Sequence, residues 1–351
     1  MANTFVLVGL AAVGNARQIS WWWDAPQAAS DPAVDALLSF SARHMDIVSS
    51  IFLRCGPTTK SGTIEGQLYP ACQRAIPALV KLGVKAELWL GETDDLDAAR
   101  KLLDYANLDT VVEALVALQK EQPGISGFNF DLEVPSVTIC GSQRCDVLYA
   151  HFLSNVRAAL QRTPGLAPRV TVDAACHSGE GWSPVISNCS LLAAASDRAL
   201  NMGSYNGGSY RGWLQALAPA LAAGVDRSRM GAGLGCYVDA ATNNTWATTP
   251  ESAAQRVCVL MNASFGEIDM FRLAPEQGWP QQWWIPPLKR YMAGGGCDPD
   301  PPPPQSHCPT DHGWIHCVGS SCIRDGCCTL TVSSLGSQPT QITGKLHAPH
   351  Q

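Results

Sequence analysis

The sequence predicts an α/β fold, a (β/α)8 TIM barrel followed by a small disulfide-rich C-terminal extension, on three observations. Eight apolar β-type runs alternate with helical patterns between residues 19 and 292. The runs lack the polar alternation of a half-exposed sheet, which fits strands buried on both faces. The composition then breaks sharply after Met292. With 351 residues, the chain has room for one barrel of about 250 residues and one appendage.

The strands are expected over 19–24, 46–53, 84–90, 125–133, 169–173, 199–205, 230–237 and 268–273. Between them apolar residues recur three and four apart, as in Val111, Val112, Leu115 and Leu118, or Trp213, Leu214, Leu217 and Leu221, and these segments are the outer helices. Asp31-Pro32 and Thr249-Pro250 each combine a capping side chain with a proline suited to the first helical turn. Gly231-Ala232-Gly233-Leu234-Gly235 lacks the spacing and helix start of a dinucleotide site and reads as a tight barrel strand. The barrel is expected over 17–293. Gly294-Gly295-Gly296 and Pro301-Pro302-Pro303-Pro304 make 294–305 a linker, and 306–351 reads as a cysteine-rich module ending in a polar tail. Six cysteines from Cys297 to Cys328 crowd a segment too short for its own core, which implies disulfide staples. A zinc site from His312, His316, Cys308 and Cys317 is disfavoured in such a setting.

Only 15% of residues are charged and the formal net charge is −6, so no basic stripe is available to neutralise a phosphate backbone and no nucleic-acid partner is expected. Fourteen cysteines, most in local pairs (Cys55 with Cys72, Cys140 with Cys145, Cys176 with Cys189, Cys236 with Cys258), point to an oxidising compartment. Acceptor triplets for N-glycosylation at Asn188, Asn243 and Asn262 point the same way. The run 5–13 fits the apolar region of a secretory signal peptide with a small-residue cleavage site at Gly14-Asn15-Ala16, although it has no preceding Lys or Arg and also fits a buried strand. It is too short to span a bilayer, and no membrane span is expected elsewhere. A secreted or lysosomal monomeric glycoprotein is the resulting expectation.

The chemistry concentrates in Ser126-Gly127-Phe128-Asn129-Phe130-Asp131-Leu132-Glu133. Strand alternation sends Asn129, Asp131 and Glu133 into the barrel and Phe128, Phe130 and Leu132 towards the helices. Glu133 then falls at the C-terminal mouth, where barrel enzymes hold their active sites. Two carboxyls two residues apart raise each other's pKa by repulsion, as a general acid requires.

This octet resembles the fourth-strand signature Asp-x-x-Asp-x-Asp-x-Glu of the family 18 glycoside hydrolases, the chitinase and chitobiase group. Asp131 and Glu133 match its last two acids, Asn129 stands for the second, and Ser126 departs from the first. Met202-Gly203-Ser204-Tyr205-Asn206 looks like the family's Met-x-Tyr-Asp/Asn segment with one residue of register difference, and Val170-Thr171-Val172-Asp173 is similar to the fifth strand of the chitobiase-like branch. Phe271 occupies the place of the family's eighth-strand tryptophan, and Trp22, beside Trp21 and Trp23, is a further sugar-stacking candidate.

The resemblance implies a retaining glycosidase that uses no enzyme nucleophile and no metal or organic cofactor, acting on β-1,4 linkages of N-acetylglucosamine oligosaccharides or the chitobiose core of N-glycans. Glu133 would be the acid and then the base, Asp131 would hold the substrate's acetamido N–H, and Tyr205 would donate to the acetamido oxygen. Asn129, Asn206, Trp22 and Phe271 would bind the sugar. A chitinase-like lectin without turnover is the alternative, for which the departures at Ser126 and Phe271 speak and against which Glu133 speaks. An extracellular structural protein associating through its stapled tail is a third.

Overall fold

The computed structural model describes residues 17–28, 31–93, 96–132, 139–140, 143–165, 168–174, 176, 188–205, 210–222, 226–236, 249–297, 315–318, 321–324 and 328–331. The chain divides into two compact units, 1–298 and 299–351.

The first unit is built on eight parallel strands: β1 (Gln18–Asp24), β2 (Ser50–Arg54), β3 (Lys85–Thr93), β4 (Ile125–Leu132), β5 (Arg169–Ala174), β6 (Arg198–Asn201), β7 (Met230–Gly235) and β8 (Glu267–Phe271). They close in the order β1-β8-β7-β6-β5-β4-β3-β2, with β2 returning to β1. The helices are α1 (Pro32–Arg43), α2 (Pro70–Lys81), α3 (Leu96–Leu103), α4 (Leu108–Glu121), α5 (Cys145–Arg162), α6 (Cys189–Ala195), α7 (Tyr210–Ala222), α8 (Pro250–Asn262) and α9 (Ile285–Met292). This is the expected TIM barrel.

The predicted caps form. The Asp31 side chain accepts from the Ala33 N–H ahead of α1, and Thr249 accepts from Ser252 ahead of α8; each such cap contributes about 1 kcal/mol. Alternation sorts the tryptophan triplet: Trp21 and Trp23 join the core between barrel and helices, whereas Trp22 turns inward. Trp21 packs edge-on against Phe40 of α1, with ring centroids 5.4 Å apart. On β4, Phe128, Phe130 and Leu132 likewise face the helices, Phe130 meeting Phe152 of α5 at 5.4 Å. Burial of each such side chain is worth roughly 1.5–3 kcal/mol.

Strand expectations need correction in several places, the eighth ending at Phe271 rather than at 273. The second strand starts at Ser50, because 46–49 close the approach from α1, where Ile47 accepts the Trp21 indole N–H at 3.0 Å. The sixth ends at Asn201 and continues as a 3-10 turn, Met202–Tyr205. Side chains compete with the sheet there: Asn201 Oδ1 accepts from the N–H groups of Gly203 and Cys176, each at 3.1 Å, and the Ser204 hydroxyl donates to the carbonyls of Asn201 and Gly233. The seventh strand is described to Gly235, and Tyr237 lies outside the described residues.

The inside of the barrel carries a salt-bridged floor. Glu267 on β8 accepts from Arg169 at 2.5 Å, from Arg198 at 2.8 Å and from the Ser20 hydroxyl, while Arg169 also donates to Glu87 at 2.9 Å. Burial works against the charge on Glu267, but Arg169 and Arg198 outweigh it and hold the carboxyl below its usual range. Glu87 is raised by burial, with Arg169 offsetting part of that.

Disulfides join Cys55 to Cys72 and Cys176 to Cys189 as expected. Cys145 is also disulfide-bonded; the side chain of Cys140, its expected partner, lies outside the described residues. The expected Cys236–Cys258 pair is not made: Cys258 on α8 bonds Cys297, and Cys236 is a buried free thiol. The reason is topological. Cys236 follows β7 inside the barrel wall, where its thiol donates to the Arg272 carbonyl, while Cys258 faces α9 and the chain leaving it. Cys297 therefore belongs to the barrel unit rather than to a tail cluster.

Among the described residues of the second unit are three short antiparallel strands, β9 (Ile315–Val318), β10 (Ser321–Arg324) and β11 (Cys328–Thr331), in that order across the sheet. Cys317 and Cys322 are Cα register partners across β9 and β10. Among the described residues, no helix is long and apolar enough to cross a membrane. Of the expected glycosylation acceptors, Asn262 is exposed at the end of α8, Asn188 caps α6 through its side chain, and Asn243 lies outside the described residues, as does the 1–16 segment.

Candidate active site

Strands β1, β3, β4, β5 and β8 deliver the polar groups of the mouth. Asn129 and Asp131 both point inside, as strand alternation requires, and Asp131 stands level with Asp173 on β5. Trp89 on β3 donates its indole N–H to Asp131 Oδ2 at 3.0 Å. Asn129 lies one layer deeper, fully buried, donating to Thr171 at 3.1 Å. Ser126 is the extra residue of a β-bulge: the pairing steps from Ala86 opposite Ile125 to Glu87 opposite Gly127, and the Ser126 hydroxyl donates to the Ala86 carbonyl at 3.0 Å. The residue at the departing signature position thus ties β4 to β3 at the end of the strand away from Asp131.

Trp22, Phe52, Trp89, Leu200, Met202 and Tyr205 form an inner apolar cluster with Phe271 packed against it. Trp22 is edge-on to Trp89 and to Phe271, with centroids 5.8 Å apart in each case, and Tyr205 lies against Phe271 at 5.1 Å. The 3-10 turn after β6 brings the Tyr205 ring across β7, where Gly233 leaves room for it: a Cβ there would stand 2.4 Å from the ring. Gly231 makes similar room for Leu200. The glycines of this strand are thus fillable spaces for neighbouring side chains.

The structure brings together Asp131, Tyr205, Asn129, Trp22 and Phe271 from the sequence-predicted set. Glu133 and Asn206 lie outside the described residues. Sequence reasoning missed Asp269 on β8, whose Oδ2 accepts the Trp22 indole N–H at 2.9 Å and the Tyr205 hydroxyl. It also left Asp173 without a role. The available signal was period-two placement: Glu267, Asp269 and Phe271 alternate along one strand, as do Arg169, Thr171 and Asp173.

Burial raises the Asp173 carboxyl well above the usual range, and the charges of Asp131 and Asp269 push it further; its oxygens have no hydrogen-bond partner at normal distance among the described residues. Burial likewise raises Asp269, with the Tyr205 and Trp22 hydrogen bonds opposing it. The Tyr205 phenol is raised by burial and then by Asp269, so it stays protonated through neutral pH. The mouth therefore concentrates acceptors and protonatable carboxyls in an aromatic frame. Among the described residues, no group of three or more His, Cys, Asp or Glu is arranged to hold a metal ion.

Beside this mouth, a cavity of about 530 Å³ opens between the ends of β1, β2 and β3, lined by Trp89, Tyr69, Asp24, Arg54, Lys60 and Thr58 among others. The Arg54 guanidinium lies over the Trp89 ring, 5.1 Å from its centroid, and Arg272 pairs with Asp24 at 2.7 Å. Aromatic faces beside planar polar groups suit a sugar ring, which offers an apolar face and a rim of hydroxyls.

No protein-family model matches the chain, and no curated protein matches it in sequence. Solved structures do. A chitinase from Chromobacterium violaceum superposes with a TM-score of 0.60 at 15% identity, covering 79% of this chain and 99% of that one. A GH18 chitinase from Cycas revoluta, solved in complex with (GlcNAc)3, gives 0.59 at 14% identity, covering 78% and 99%. The spore cortex-lytic enzyme SleL from Bacillus megaterium gives 0.60 at 11% identity, covering 80% and 74%. At these identities the likeness is one of fold: the chain shares a (β/α)8 barrel with these chitinases and with SleL.

Proposed function

We propose that the protein is a glycoside hydrolase that cleaves β-1,4 linkages next to N-acetylglucosamine by substrate-assisted retaining catalysis. The observation that carries the reading is the pairing of Asp131, held by Trp89, with Tyr205 and Phe271 around one barrel mouth. Fold likeness to chitinases, one of them solved with (GlcNAc)3, supports it.

In this reading Glu133 gives its proton to the glycosidic oxygen as that bond breaks, and the sugar's own acetamido carbonyl attacks the anomeric carbon to form an oxazolinium ion. Asp131 accepts the acetamido N–H, aligning the carbonyl for attack and balancing the positive charge that develops on the ring. Water then attacks the anomeric carbon and gives a proton to Glu133, while the bond from that carbon to the acetamido oxygen breaks, which restores both the acetamide and the acid. Asn129 lies below Asp131, hydrogen-bonded to Thr171, Trp22 and Phe271 present aromatic surface to the sugar, Asn206 follows Tyr205 as a further polar contact, and the β1–β3 cavity takes additional sugar units. The disulfides support an oxidising compartment, secreted or lysosomal, and the protein acts as a monomer.

The test is hydrolysis of fluorogenic N-acetylglucosamine oligomers by wild type and Glu133→Gln, alongside binding of the same sugars. Loss of turnover with binding kept supports Glu133 as the acid. Binding without turnover in both proteins replaces the enzyme by a lectin, and absence of both rejects the substrate.

A further inference from the structure

The buried acids of the barrel differ in what faces them. Glu87 and Glu267 on the floor each face arginine, whereas Asp269 is met at its Oδ2 by two neutral donors, Trp22 and Tyr205. Asp269 is fully buried, and its Oδ1 has no hydrogen-bond partner among the described residues. A carboxyl out of water without a cation opposes folding, and an apolar side chain would fill the same inward position on β8. Its contacts show what it does instead. Gly233 lets the Tyr205 ring cross β7, and the phenolic oxygen arrives at the oxygen that already accepts the Trp22 N–H. The Tyr205 hydroxyl is the donor of that bond, and Oδ2 accepts from both side chains.

We infer that Asp269 is a positioning residue for the reaction proposed above, acting through Tyr205: it takes the phenolic proton, locks the ring against Phe271, and leaves Tyr205 to meet the sugar as a hydrogen-bond acceptor. A phenol has one proton, and once that is committed only lone pairs remain for a ligand. The acetamido N–H goes to Asp131, so the sugar group facing Tyr205 is a hydroxyl acting as donor. This differs from the donor role that the family resemblance implies for Tyr205.

The experiment is a double-substitution cycle with Asp269→Leu and Tyr205→Phe, with Asp269→Asn as the conservative variant, since its side-chain oxygen can still accept from both donors. Asp269→Leu is expected to lower kcat on a fluorogenic N-acetylglucosamine oligomer by about 10²-fold, the scale for losing one preorganised hydrogen-bonding group, with KM changing less than about threefold. Asp269→Asn restores most of that loss, and Asp269→Leu costs much less once Tyr205 is Phe, when only the Trp22 contact remains to be lost. Losses that multiply in the double variant, or no rescue by Asn, overturn the inference. A second measurement needs no turnover: the indole N–H resonance of Trp22, identified through Trp22→Phe, moves in Asp269→Leu and in Tyr205→Phe because the three side chains share one oxygen. If wild type neither hydrolyses nor binds the oligomers, the glycosidase reading fails while this resonance still decides the shared acceptor; an unmoved resonance in Asp269→Leu overturns the inference whatever the activity.

Discussion

Trp89 and Asp131 sit on neighbouring strands and are joined by an indole-to-carboxylate hydrogen bond of 3.0 Å, so the residue proposed to orient the substrate is itself oriented by a side chain that also walls the adjoining cavity. Replacing Trp89 by Phe keeps an aromatic ring and removes the donor. The expected result is a fall in kcat/KM of about 10- to 100-fold, in line with the loss of a supporting hydrogen bond to a catalytic carboxylate, with the melting temperature nearly unchanged. Steady-state kinetics and calorimetry on the same variant check it.

Gly233→Ala places a methyl group where the Tyr205 ring lies, 2.4 Å from its nearest atom. The ring must lift off β7, which parts its hydroxyl from Asp269. Activity is expected to fall to about the level of Tyr205→Phe, and combining the two substitutions is expected to cost little more.

The floor of the barrel governs stability. Glu267→Gln leaves Arg169 and Arg198 without their shared carboxylate and is expected to destabilise the fold by about 3–5 kcal/mol, as for other broken buried pairs. The folded pKa of Glu267 lies below its unfolded value, so its contribution is present above about pH 4.3 and disappears as pH falls through the folded value. Urea unfolding at pH 7 and again in acid should show the difference between wild type and variant narrowing in acid.

Asp173 has the opposite sign. Its folded pKa is raised by burial and by Asp131 and Asp269, so ionisation opposes folding as pH climbs above the unfolded value of about 3.9. Asp173→Asn is expected to be more stable than wild type at pH 7 and to lose that advantage at pH 3, which thermal scans at both pH values measure.

Peptide mapping without reduction should recover Cys258 joined to Cys297. Burial pushes the Cys236 thiol up and shields it, so an alkylating reagent should label it only after unfolding. Cys297→Ser is expected to cost about 2–4 kcal/mol.

Much of the barrel was legible because each strand pattern and each Asp-Pro or Thr-Pro cap is a local signal. Phe128, Phe130 and Leu132 read as outward and Asn129 and Asp131 as inward from alternation alone, and the geometry agrees. What stayed hidden depended on closure. That Cys258 reaches Cys297 rather than Cys236, that β6 yields to a turn held by Asn201 and Ser204, and that Asp269 meets a phenol carried across from β6 all follow from which strands become neighbours. Asp173 carries no legible role in the sequence, because one carboxyl at a strand end gains chemical meaning only when Asp131 is found level with it.

Along the barrel axis the cations Arg169 and Arg198 stand near the starts of their strands, whereas Asp131, Asp173 and Asp269 stand further along theirs. Glu87 and Glu267 balance those cations on the floor, so the excess of acidic groups lies at the opening. A group that turns positive there as a bond breaks moves downhill in potential, and an anion entering by the same route climbs. The selectivity this confers belongs to the scaffold and would act on a ligand before any side chain touches it.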